Sequence, residues 1–89
     1  MLFSDLCNKE VVSARTGTRL GQVDDVEIDD KTAEVKRVYI YARGLFWGMF
    51  SREDDIVIEW EDIDTIGPDL ILVKNETEQR VARSRKKLL

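Results

Sequence analysis

Between residues 55 and 74 the apolar positions change their period twice. Ile56, Ile58 and Trp60 alternate with Val57 and Glu59, the two-residue repeat of a half-buried strand, and β-branched and aromatic side chains dominate. Trp60, Ile63 and Ile66 then fall three apart, which predicts a short helical turn laying its apolar side on the same core. Gly67-Pro68-Asp69 ends that turn, because proline fixes φ and removes a donor while glycine tolerates φ values other residues avoid. A second strand follows through residue 74.

Upstream, residues 2–9 read as a short cap of one helical turn, with Ser4 as its N-cap and Leu6 facing inward. A strand over residues 10–14 and a five-residue turn containing Gly17 predict a first antiparallel hairpin. Residues 20–29 and 33–41 are the next two strands, joined by the turn Asp29-Asp30-Lys31-Thr32. Neither alternates cleanly. Val23 is odd where Val26 and Ile28 are even, and Ala33 and Val35 are odd where Val38 and Ile40 are even. A change of parity within one strand predicts a β-bulge, here near Asp24-Asp25 and near Lys36-Arg37. Bulged, bent strands suit a small closed or nearly closed barrel. The expectation is an all-β fold, a small bent-strand β-barrel with a short helical turn before its last strand. Its predicted core is Val38, Ile40, Ile56, Ile58, Trp60, Leu70 and Leu72.

At 89 residues the chain has room for one domain, assigned to residues 1–74, and residues 75–89 read as a basic C-terminal tail, helical or disordered. A domain this small buries only roughly 60% of its unfolded surface, so a shared surface between two copies is expected. Charge sharpens the division. The last ten residues hold five of the 14 basic side chains and none of the 18 acids, leaving nine bases against 18 acids in residues 1–79. An acidic body argues against general nucleic-acid binding, since phosphates need a basic field. Only Arg80, Arg83, Arg85, Lys86 and Lys87 supply one, for nucleic acid, anionic lipid or an acidic partner.

One cysteine, Cys7, precludes an intrachain disulfide. The first ten residues lack a basic segment followed by a long apolar run and do not read as a signal peptide, and no stretch approaches the ~20 apolar residues of a membrane span. A cytoplasmic protein is the expectation. Catalysis is hard to assemble without a single histidine, the usual base near neutral pH. The acids Asp24, Asp25, Glu27, Asp29 and Asp30 invite a calcium reading, but apolar residues interrupt them with no glycine between, so they read as the wet face of a strand. Glu53, Asp54 and Asp55 read as a charged turn. The glycines form no phosphate loop, because no Gly-Lys-Ser/Thr sequence is present. Neither an enzyme, a cofactor nor a metal is expected.

Two features rise above this background. Tyr39, Tyr41, Phe46, Trp47 and Phe50, with Met49 among them, exceed what one face of so small a barrel needs. They fit the barrel rim or core, or a protein interface including a homodimer; a membrane contact through residues 45–50 is the least favoured reading. The basic tail is the second.

Ser4-Asp5-Leu6, Lys9-Glu10-Val11-Val12, Gly17, Leu20-Gly21-Gln22-Val23 and Asp25-Val26 lead, in order, to Ile58, Trp60, Asp62-Ile63, Ile66-Gly67 and Asp69-Leu70-Ile71-Leu72-Val73. In this spacing the chain resembles the PRC-barrel domain, named from the photosynthetic reaction centre H subunit and found also in the ribosome maturation factor of the small subunit. Within that family it is similar to the short stand-alone branch associated with sporulation. Cys7-Asn8 stands where many members carry glycine, and Glu59 precedes Trp60 where proline is frequent. The resemblance implies a small all-β barrel, often self-associating, with no catalytic residues or cofactor. The resulting expectation is a protein-binding, self-associating adaptor; the alternative is an RNA- or ribosome-associated adaptor that uses the tail.

Overall fold

The computed structural model describes residues 1–42 and 54–81. The sequence candidates Phe46, Trp47, Met49 and Phe50, and Arg83, Arg85, Lys86 and Lys87 in the tail, lie outside the described residues. A short helix, α1 (Phe3–Cys7), leads into β1 (Glu10–Ser13), β2 (Arg19–Gln22), β3 (Asp25–Asp29), β4 (Glu34–Ile40) and β5 (Asp55–Glu59). A 3-10 turn, Trp60–Asp62, then precedes β6 (Ile63–Ile66), β7 (Leu70–Val73) and β8 (Thr77–Gln79).

The strands form two four-stranded sheets, β2-β1-β7-β6 and β3-β4-β5-β8, and are not closed into one barrel. Within the first sheet β1 and β7 run parallel, and the other pairs in both sheets are antiparallel. Residues 20–29, predicted as one bulged strand, are two strands in different sheets. The chain crosses at Val23-Asp24, and the Asp24 N–H donates to the Tyr39 carbonyl at 2.8 Å. The parity change there marks a change of sheet. The bulge predicted near Lys36-Arg37 is present: Glu27 pairs with Arg37 but Ile28 pairs with Val35, leaving Lys36 extra on β4. Ile28, opposite Val35 past the bulge, is exposed.

The core lies between the sheets. Leu6, Val11, Leu20, Val23, Val38, Ile40, Ile56, Ile58, Ile71 and Val73 form one buried cluster. Gly21 shows how close the sheets come. Its φ is +117°, and a Cβ there would stand 3.3 Å from Ile40 Cγ2, so only glycine suits the backbone and the contact together. Ser13 points inward and satisfies its hydroxyl locally, accepting the Thr16 N–H at 3.3 Å.

Three predicted core positions are elsewhere. Trp60 is 36% exposed, because the 3-10 turn breaks the alternation of β5 as the chain crosses to the first sheet. Ile63 and Ile66, predicted as helical, belong to β6. On β7 the buried side chains are Ile71 and Val73, beside Val11 and Ser13 of β1, while Leu70 is exposed and Leu72 half-buried. Four consecutive apolar residues carry no alternation, so pairing with β1 decides which face turns inward.

Two smaller expectations also change. Leu2 occupies the N-cap in place of Ser4, and its N–H donates to Asp5 Oδ2 at 2.9 Å; Leu6 is buried as predicted. Residues 77–79, expected to be helical or disordered, extend the second sheet as β8 along β5. Arg15 donates to Glu76 Oε2 at 3.2 Å and ties the first hairpin to the approach to that strand.

Candidate functional site

Past the bulge on β4, regular alternation puts Arg37 and Tyr39 on the outer face of the second sheet, opposite in parity to buried Val38 and Ile40, and Tyr41 follows at the strand's end. The neighbouring outward positions of β3 are Asp25 and Glu27. Tyr41 donates its hydroxyl to Asp25 Oδ2 and Tyr39 donates to Glu27 Oε1, both at 2.5 Å. The two rings stand 6.2 Å apart, tilted by 32°. Arg37 joins three strands: Nη1 donates to Glu27 Oε1 at 2.7 Å, Nε to Glu59 Oε2 at 2.9 Å and Nη2 to Glu59 Oε1 at 3.3 Å. The planar guanidinium matches a carboxylate in this two-point geometry.

These contacts set the charge states. Hydrogen bonds from Tyr39 and then Arg37 hold the Glu27 carboxyl below its ordinary range. Burial, and then the bond to Glu27, push the Tyr39 phenol up. Glu59 and then Glu27 raise the already high pKa of Arg37. The acids predicted as a solvated face are therefore partly an anchoring rail for tyrosines. Asp29 instead organises the β3–β4 turn, accepting the N–H groups of Lys31 and Thr32, which keeps its carboxyl low.

Asp55, predicted in a charged turn, is instead the buried first residue of β5, 3% exposed. Its Oδ1 accepts the Ala42 N–H at 2.6 Å and its Oδ2 the Val81 N–H at 3.2 Å. One carboxylate thus holds the chain where the aromatic segment begins and where the basic tail begins. The sequence carries a weak signal for it, an acid directly before a strongly apolar strand. Arg37 had a clearer one, the parity it shares with Tyr39 and Tyr41. Of the tail cations, Arg80 is exposed, with Nε 3.9 Å from Asp54 Oδ1.

At the far end of the same face, Trp60 lines an open groove of about 440 Å³ with Glu34, Val35, Lys36, Glu59 and Glu61. Among the described residues no group of three or more Cys, Asp or Glu is placed to hold a metal ion, and no helix is long and apolar enough to cross a membrane. Cys7 is half-buried, and burial followed by the charge of Asp24 raises its pKa, which leaves less of the nucleophilic thiolate.

The arrangement joins a tilted tyrosine pair, an arginine–carboxylate clamp and two backbone segments held by one carboxylate. Comparison with known proteins agrees with the fold. The chain is 35% identical over 72 residues to the probable sporulation protein YlmC of Bacillus subtilis, covering 81% of this chain and 89% of the relative. An uncharacterised protein of Clostridium acetobutylicum is 44% identical over 68 residues, covering 75% of this chain and 76% of its own length. YmxH of Bacillus subtilis, also uncharacterised, is 31% identical over 75 residues, or 82% of this chain and 87% of the relative. With residues 1–80 matching the family's pattern, a span that takes in every described strand, the chain belongs to the PRC-barrel domain family.

Proposed function

We propose that the protein is a non-enzymatic, self-associating adaptor of the cytoplasm that binds protein through the outer face of the β3-β4-β5-β8 sheet and serves a process linked to sporulation. The observation that carries this reading is the Tyr39–Tyr41 pair, held side by side by Glu27 and Asp25 on an outward sheet face. Aromatic rings whose rotamers are already restrained lose little entropy on docking, which is why tyrosine is enriched in interfaces. In the sequence, Phe46, Trp47, Met49 and Phe50 follow soon after Tyr41 and add to the apolar and aromatic composition of this stretch. The sporulation link rests on the label of the Bacillus relative. Light scattering over a concentration series tests the proposal: the wild type gains mass toward a dimer and the Tyr39→Ser/Tyr41→Ser variant stays smaller. Equal behaviour of the two chains contradicts it.

A second reading, an RNA- or ribosome-associated adaptor, is favoured by one observation. Arg80 opens the basic segment with its side chain 79% exposed and, among the described residues, a long contact of 3.9 Å to Asp54. Binding to RNA that is lost when the tail cations are replaced, and that weakens steeply with salt, supports this reading. Absence of binding at low salt removes it.

A further inference from the structure

We infer that the groove beside Trp60 receives the basic C-terminal segment of a second copy of this chain, an inference that rests on the self-association proposed above. The groove stands where the outer sheet face ends. Trp60, 36% exposed on the 3-10 turn, lines it together with Glu34, Glu59 and Glu61 and one cation, Lys36. Arg37 already satisfies Glu59. The carboxylates of Glu34 and Glu61 have no hydrogen-bond or ion-pair partner among the described residues. By contrast, Asp25 and Glu27 on β3 are taken up by tyrosine hydroxyls. An indole face flanked by free carboxylates suits a guanidinium or an ammonium on a flexible stem.

The occupant follows from charge and from direction. Residues 82–89 contain Arg83, Arg85, Lys86 and Lys87 and no acid, on a chain that is otherwise acidic. β8 runs antiparallel to β5 with Gln79 opposite Asp55, and Val81 is held at Asp55, so the segment starts at the end of the sheet away from the groove. From Asp55 to Trp60 is about 17 Å at the rise of a strand. Extended backbone from Val81 covers about 7 Å to Arg83 and about 13 Å to Arg85, and it spans the distance to its own groove only at Lys86 and Lys87, about 17–20 Å away, with the segment fully stretched along the face. A second copy has no such limit. If two outer faces stack about a two-fold axis running across the strands, strand direction reverses and each chain's exit at Val81 lies over the other's Trp60. The exchange is then reciprocal and closes as a dimer.

Sedimentation velocity on the full chain tests this with two charge-reversed variants, Glu34→Lys/Glu61→Lys and Arg83→Glu/Arg85→Glu/Lys86→Glu/Lys87→Glu, each first shown by circular dichroism to keep the wild-type fold. Each alone is expected to weaken dimerisation by about tenfold or more, and an equimolar mixture to restore it, because the reversed tail meets the reversed groove. Trp60→Ala is expected to weaken it as well. A wild type that dimerises equally well with either variant overturns the groove inference while leaving self-association standing. Weakening without restoration in the mixture also overturns it, since it assigns the contact to a single chain. A wild type that stays monomeric at all concentrations removes both.

Discussion

The carboxylate of Asp55 accepts the backbone N–H of Val81 at 3.2 Å with Oδ2 while Oδ1 accepts that of Ala42 at 2.6 Å. Because Asp55 is almost wholly buried, neither amide is readily resupplied with a partner if the carboxylate goes. Asp55→Ala removes both acceptors at once. We expect a loss of about 1–3 kcal/mol in denaturant unfolding. Amide hydrogen exchange should accelerate at Ala42 and Val81 together. Acceleration at one site alone contradicts the shared anchor.

The Tyr39–Glu27 pair predicts opposite behaviour at the two ends of the pH scale. Glu27 is depressed in the fold, so its stabilising contribution is present above the ordinary carboxylate range and is lost as pH falls through the lower folded value. Tyr39 is raised, so its neutral form is favoured by folding; that contribution is present below the ordinary value of 10 and is lost as pH rises through the higher folded value. Glu27→Gln should move the tyrosinate titration of Tyr39 back toward 10 but not to it, because burial, the larger cause, remains. NMR titration of the tyrosine rings checks this, and an unchanged Tyr39 midpoint in the variant refutes it.

Gly21 joins the sheets by absence of a side chain. Gly21→Ala places a Cβ 3.3 Å from Ile40 Cγ2 on a backbone with φ of +117°, and thermal unfolding should show a loss of about 1–3 kcal/mol. Gly17→Ala meets no atom within 4 Å and carries only the cost of its φ of +74°, so its effect should be the smaller.

What the residues disclose depends on whether their pattern is one-dimensional. The Lys36-Arg37 bulge and the turn at Asp29 were legible, because parity and turn chemistry are local properties. The strand break at Val23-Asp24 produced the same parity signal as a bulge, and only pairing partners tell the two apart. The outward direction of Tyr39 and Tyr41 was legible from strand parity, whereas their hydroxyl contacts to Glu27 and Asp25 were not. The partners of Arg37 and Asp55 were not legible either, because each acts across two or more chain segments, although the parity of Arg37 marked it as outward. The apolar run of β7 hid its own facing.

That last ambiguity gives a direct comparison. Ile71→Ala should cost about 2–5 kcal/mol, as buried aliphatic truncations do. Leu70→Ala, one residue earlier and exposed, should cost under about 1 kcal/mol. Equal losses in urea unfolding would contradict the assignment of the inward face.

The central claim is that two copies meet through the outer face bearing Tyr39 and Tyr41. Isotope-filtered NMR on an equimolar mixture of labelled and unlabelled chains measures this most directly. The account predicts intermolecular contacts from the rings of Tyr39 and Tyr41. A dimer in which those rings show only contacts within their own chain, or a chain that is monomeric at the concentration used, would contradict it.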